Sequence, residues 1–327
     1  MDPYFGDGEQ LLDDIVSQIV EQFFSEFNLQ LRDLSPDEWD STSAPEDTVP
    51  ETEDDWREYV WRFIERNLSS IYPLGNPSVE ELVHNAANRA MAIAEKYHLR
   101  PDVTPKVVLM GLYDFVILCD DSTSMNKGTR IQALEDTCHR IAEIAGLIQP
   151  HGVHLRFLNY SRDRDWPKLS DHEDIKKKVE GVKYSGKTRL GTVLRSKIAE
   201  PLIVNKAKFK ELERPIITIV ITDGCPDGED DACFAQTVLQ CKQELNGLNF
   251  DSASAVFIIS RVGNDPKAEI FLHGLRTDTK LEEALYCCMD QLDGRHKAFD
   301  RANEDIEYSS FLIDLFAAAL DSQTDME

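Results

Sequence analysis

Apolar residues recur in this chain with two periods, and the change from one to the other marks its elements. Phe115-Val116-Ile117-Leu118-Cys119 and Ile216-Ile217-Thr218-Ile219-Val220-Ile221 are nearly unbroken apolar runs, the second rich in β-branched residues. Runs of that kind and length predict strands buried on both faces. The pattern as a whole predicts strands at 114–119, 153–159, 215–222, 253–260 and near 286–292. Helical spacing predicts helices at 128–148, 171–180, 190–200, 230–245, 267–275 and about 305–320. Alternation of strand and helix implies an α/β fold: a mostly parallel, doubly wound, Rossmann-like sheet with helices on both faces. The strands ending near 119 and 222 are expected side by side at its centre. No internal repeat is visible.

A small helical region is expected to precede this domain. Leu11, Leu12, Ile15, Val16, Ile19, Val20, Phe23, Phe24 and Phe27 form a helical stripe within residues 1–32. Asp13, Asp14, Glu21 and Glu26 occupy its polar face, which suits a packed helix better than a lipid-bound one. Residues 33–55, rich in Ser, Thr, Pro, Glu and Asp, read as an acidic linker. A helical module is expected over 56–104, as a separate unit or as a collar on the main domain. Its first helix lies near 56–71, and its second starts at a capping box of Ser78 and Glu81 and runs to about Tyr97. The main domain spans 105–321, followed by a tail at 322–327.

Charge narrows the function classes. The 327 residues carry 35 Lys and Arg against 60 Asp and Glu, a net charge of −25. Residues 1–60 hold 18 acidic and 2 basic side chains, so the acidity is concentrated at the N-terminal end. Neither nucleic acid nor an anionic membrane is an expected partner, because both require clustered Lys and Arg. No apolar run approaches the roughly 18 residues that span a bilayer. The first residues lack the basic start and apolar core of a signal peptide. The seven cysteines include no Cys-x-x-Cys pair, so reduced thiols in a cytoplasmic or nuclear protein are expected rather than a zinc site. There is no Gly-x-Ser-x-Gly nucleophile elbow and no spaced Cys/His pair, so enzyme signals are thin.

The candidate chemistry sits where the first strand ends. Asp120-Asp121-Ser122-Thr123-Ser124 is an Asp-x-Ser-x-Ser turn, with one charge and two hydroxyls spaced two residues apart. Hard oxygen donors of this kind suit Mg²⁺ or Mn²⁺. The motif alone decides little, because serine-capped turns use the same residues. Two later positions extend it. Thr188 lies in Gly186-Lys187-Thr188-Arg189, before a helical pattern, and Asp223 ends the second buried strand before Gly224. Taken singly, Thr188 reads as a helix N-cap and Asp223 as a turn residue. Together they place hard oxygens at three successive element ends.

In these positions the chain resembles a von Willebrand factor A (vWA) domain with a metal-ion-dependent adhesion site. That pattern maps onto Asp120, Ser122, Ser124, Thr188 and Asp223 without substitution. Leu112-Tyr113-Asp114 before the first strand and Arg261-Val262-Gly263-Asn264-Asp265-Pro266 after the fourth extend the similarity. It covers about residues 105 to 320 and is nearest to intracellular, fungal-type members. The resemblance implies a Mg²⁺ or Mn²⁺ ion held by these five residues and completed by an Asp or Glu of a partner protein. It further implies a binding module and not an enzyme. The acidic residues Glu46, Asp47, Glu51, Glu53, Asp54 and Asp55 are a candidate intramolecular ligand for the same ion, with a solvated tail as the plainer reading. A flexible tether of ~20 residues reaches roughly 25 Å.

A rival reading starts from Gly181-Val182-Lys183-Tyr184-Ser185-Gly186-Lys187-Thr188, which fits the phosphate-loop pattern of a nucleotide-hydrolysing protein. Such a loop must follow a buried strand and open a helix. The preceding Asp174-Ile175-Lys176-Lys177-Lys178-Val179-Glu180 instead reads as a charged helix.

Overall fold

The computed structural model describes residues 49–148, 152–292 and 304–325. Five strands line up in it: β1 Asp114–Cys119, β2 Val153–Phe157, β3 Ile216–Thr222, β4 Ala255–Arg261 and β5 Tyr286–Gln291. Their order is β2-β1-β3-β4-β5, and all four neighbouring pairs are parallel. Every residue of β3 is buried, as the unbroken apolar run predicts for a central parallel strand. Register fixes the tips: Cys119 pairs with Ile221 and with Phe157, so β1, β2 and β3 end at nearly the same level.

Alternate residues of β1 feed two cores. Phe115, Ile117 and Cys119 point into one and Val116 and Leu118 into the other, the period of two that a pleated strand imposes. The first core is closed by helices α1 Glu53–Asn67, α2 Pro77–Tyr97, α3 Thr104–Met110, α4 Arg130–Ile148, α5 His172–Glu180 and α10 Glu304–Asp321. The second is closed by α6 Leu190–Leu194, α7 Asn205–Phe209, α8 Cys233–Gly247 and α9 Pro266–Thr277. The sheet is therefore doubly wound, as the alternating pattern implied.

The helices before the sheet are a collar. Trp56, Val60, Ile64, Val83, Ala86 and Val107 belong to the same continuous core as Phe115, Ile141 and Phe316. α2 and α3 pack on both α4 and α10. No gap separates residues before 104 from those after it, and Val49–Glu327 forms one compact unit.

Several expected boundaries shift, each for a local reason. α1 begins at Glu53, inside the expected linker. The Thr52 side chain accepts from the Asp55 amide at 3.2 Å and the Asp55 carboxylate accepts from the Thr52 amide at 2.9 Å. This capping box places Glu53, Asp54 and Asp55 in the first helical turn, where carboxylates favour the helix dipole. Those three residues are thus not part of a flexible tether. α2 is capped by Asn76, not by Ser78, because Pro77 presets the first helical position and moves the cap upstream. The helix expected to stop near residue 200 runs on. A π-helical segment, Arg195–Val204, carries Pro201 inside it and leads directly into α7. Pro201 has no N–H to donate and its ring clashes with the preceding turn of a regular helix, so the regular pattern is interrupted there. The short helix α3 was not expected at all. The tail is anchored over its described part: the Gln323 side chain bonds the Phe257 amide and carbonyl at 3.0 and 2.9 Å, beside the start of the β4–β5 pairing. The amphipathic stripe at 11–27 and the linker up to residue 48 lie outside the described residues.

Candidate metal centre

The strand order places β1 and β3 side by side, with the chain leaving β1 toward β2 on one side and continuing from β3 toward β4 on the other. The carboxyl ends of β1 and β3 are therefore the topological switch point, where open α/β sheets form a crevice. Asp120 follows β1 directly and Asp223 follows β3 directly. The Asp120 amide continues the ladder by donating to the Ile221 carbonyl at 2.9 Å. Both carboxylates are buried, at 0% and 1% exposure.

Four of the five residues singled out from sequence meet in one hydrogen-bonded network. Asp120 Oδ1 accepts from the Ser122 amide at 2.8 Å. The Ser122 and Ser124 hydroxyls lie 2.9 Å apart, and Ser124 Oγ donates to Asp223 Oδ1 at 2.7 Å. The 3₁₀ turn Thr123–Asn126 brings Ser124 back toward Ser122, with Met125 buried beneath it as a plug.

Thr188 arrives on a separate loop. It is 5% exposed, and its hydroxyl makes no hydrogen bond among the described residues. Its loop is tied to the β1 loop from several sides. The Gly186 amide donates to Thr123 Oγ1 at 3.2 Å, and Asn126 Nδ2 donates to the Tyr184 carbonyl at 2.9 Å. Asn159 Nδ2 donates to the Lys187 carbonyl at 3.0 Å. Gly186 has φ of 117°, and a Cβ there would lie 2.5 Å from Asn159 Oδ1, so glycine is required for this close approach. Thr188 does not cap α6; the residue before that helix is Arg189, without a side-chain cap.

Three contributors carry no motif signal. Thr222 Oγ1 donates to Asp120 Oδ2 at 2.6 Å. Asp121 accepts from the Asn159 amide at 2.7 Å, from Asn159 Nδ2 at 3.0 Å and from the Tyr160 amide at 2.9 Å, so it fixes the loop after β2. Arg130 Nη1 pairs with Asp223 Oδ2. A second consecutive Asp at the end of a buried strand is a usable hint for Asp121. Nothing in the sequence marks Arg130 or Thr222.

Electrostatics fit a cation. Burial, with a smaller push from the Asp223 charge, raises the Asp120 carboxyl to about 6 against the pull of hydrogen bonds from Thr222 and Ser122. Burial also raises Asp121, opposed by the Asn159 and Tyr160 donors. No basic side chain pairs with Asp120 among the described residues. The one guanidinium is paired with Asp223, and the hydroxyls of Ser122, Ser124 and Thr222 stand beside the two buried carboxylates. That donor set, all hard oxygen and short of positive charge, suits Mg²⁺ or Mn²⁺. Among the described residues no three His, Cys, Asp or Glu side chains gather as a metal cage.

The phosphate-loop reading meets a different geometry. α5 ends at Glu180, directly before Gly181, so a helix stands where a strand is needed. The first amides of α6 are occupied, with Gly191 and Thr192 donating to the Glu229 carboxylate at 2.7 and 2.9 Å. An anion already sits where phosphate would bind. The Lys187 side chain is 62% exposed and lies 3.7 Å from Asp227.

No protein-family model matches this chain, and no curated protein matches it.

Proposed function

We propose that this chain is a divalent-cation-dependent protein-interaction module of vWA type, binding an acidic side chain of a partner through Mg²⁺ or Mn²⁺ at Asp120, Ser122, Ser124, Thr188 and Asp223. The observation that carries the reading is the network joining Asp120, Ser122, Ser124 and Asp223 at the switch point of the sheet. The ion would supply a positive centre to which a carboxylate adds as a further ligand. A centre built largely from neutral hydroxyls leaves that positive character unspent. The chain's own part is to hold the donors in place: Asp121 and Asn159 fix the flanking loop, and Thr123 and Asn126 fix the Thr188 loop.

The partner is read as a protein presenting Asp or Glu. The net charge of −25 argues against nucleic acid and anionic membrane. No helix among the described residues is long and apolar enough to cross a membrane. The seven cysteines are free thiols, including Cys119 and Cys138 with sulfurs 3.5 Å apart, which supports an intracellular, reducing setting.

The reading is tested by affinity capture from extract with the full chain as bait, in Mg²⁺ and in EDTA, beside Asp120→Ala. A partner retained only by wild type and only in Mg²⁺ is expected. Partners retained equally in EDTA, or equally by Asp120→Ala, would refute cation-dependent capture.

A further inference from the structure

We propose that Arg130 is the resident cation of this centre: its guanidinium neutralises Asp223 in the protein without bound metal, and a divalent ion binds in competition with it. The inference rests on the metal reading above and concerns how that site is regulated.

Arg130 opens α4, and its side chain is only 10% exposed. Arginine stays charged in any protein environment. Nη1 is shared between Asp223 Oδ2 and the Ser124 carbonyl, the latter at 3.2 Å. The other Asp223 oxygen accepts from the Ser124 hydroxyl at 2.7 Å. The carboxylate is thus bracketed, with a fixed cation on one oxygen and a metal-ligand hydroxyl on the other.

The guanidinium is also enclosed from behind. Gly263, in the loop after β4, has φ of 76° and lies against Arg130 Nε, Cζ and Nη2, so that any Cβ there would overlap the guanidinium. Arg130 is therefore held among the ends of β1, β3 and β4.

Asp120 has no basic partner among the described residues; its oxygens accept from the Ser122 amide and the Thr222 hydroxyl. A divalent ion held by residues that include Asp120 and Asp223 would bring two further positive charges close to the buried guanidinium. Repulsion between like charges is poorly screened in such a site. Arg130 thus lowers cation affinity while holding the three loops together in the absence of metal.

The test uses the full chain and Mn²⁺ alone as probe. Affinity is measured by calorimetry, and melting temperature is measured in EDTA and in excess Mn²⁺. Arg130→Met is expected to melt lower than wild type in EDTA, to bind Mn²⁺ at least fivefold tighter, and to gain more in melting temperature on Mn²⁺ addition. Arg130→Lys, which restores a positive charge, is expected to return affinity toward wild type. Should Arg130→Met fail to fold, Arg130→Gln, which keeps N–H donors without charge, decides by the same criterion. A wild type that binds Mn²⁺, with neutral variants binding equally or more weakly, overturns the competition and leaves the metal reading intact. A wild type that binds no Mn²⁺ overturns both.

Discussion

Asp121 sits next to a metal-ligand candidate yet faces the other way. Both of its oxygens accept from Asn159 and Tyr160, and Asn159 in turn holds the Lys187 carbonyl one residue before Thr188. Asn159 is thereby a positioning residue for the Thr188 loop. Asn159→Ala is expected to weaken Mn²⁺ binding several-fold while leaving the fold intact, as lost outer-shell support does at metal sites. Calorimetry beside a circular-dichroism melt checks this, and unchanged affinity would remove Asn159 from the account. Lys242 on α8 is buried and donates to the Ser252 carbonyl at 2.9 Å. Burial pulls its ammonium down to about 7 from an ordinary 10.5. The unfolded chain then binds the extra proton between those values, so this group makes the protein more stable as pH rises through that window. Lys242→Met removes the term. Urea midpoints of wild type minus variant are expected to grow between pH 7 and pH 9.5, and parallel midpoints would contradict the assignment.

At the scale of elements, the collar and the sheet share one core, with Trp56 at 1% exposure. Trp56→Ala is expected to cost about 3–5 kcal/mol. The loss should shift a single cooperative transition measured by both fluorescence and circular dichroism. A separate early transition, with the sheet transition unmoved, would make the helices an independent module. The elements themselves were largely legible. β1 and β3 declare themselves because a strand buried on both faces leaves an unbroken apolar run, and α4, α5 and α8–α10 because a helix buried on one face leaves a 3.6-residue stripe. The misses have physical causes. Thr104–Met110 is too short to show a period, and Pro201 reads as a stop because periodicity carries no sign of a π-helical turn. Asn76 outranked Ser78 as a cap because Pro77 fixes the turn. In the centre, Asp120, Ser122 and Ser124 were legible from their spacing and Asp223 from its place after a buried strand, and the four are joined by hydrogen bonds in the fold. Arg130 and Thr222 were not, since their roles arise only when three strand ends converge.

For the whole molecule, a chain with net charge −25 carries a buried centre that still holds more negative than positive charge. Like charge accumulated at one point destabilises a fold unless a ligand relieves it, and relief by a cation raises stability in proportion to its binding. Asp120 and Asp223 are proposed here as ligands of one divalent ion. Mn²⁺ titration of wild type, Asp120→Ala and Asp223→Ala, followed by paramagnetic line broadening, tests it most directly. One saturable site is expected in wild type and at least tenfold weaker binding in each variant, with broadening in wild type centred on residues 120–124, 188 and 223. Variants that bind Mn²⁺ as wild type does, or broadening centred elsewhere, would contradict it.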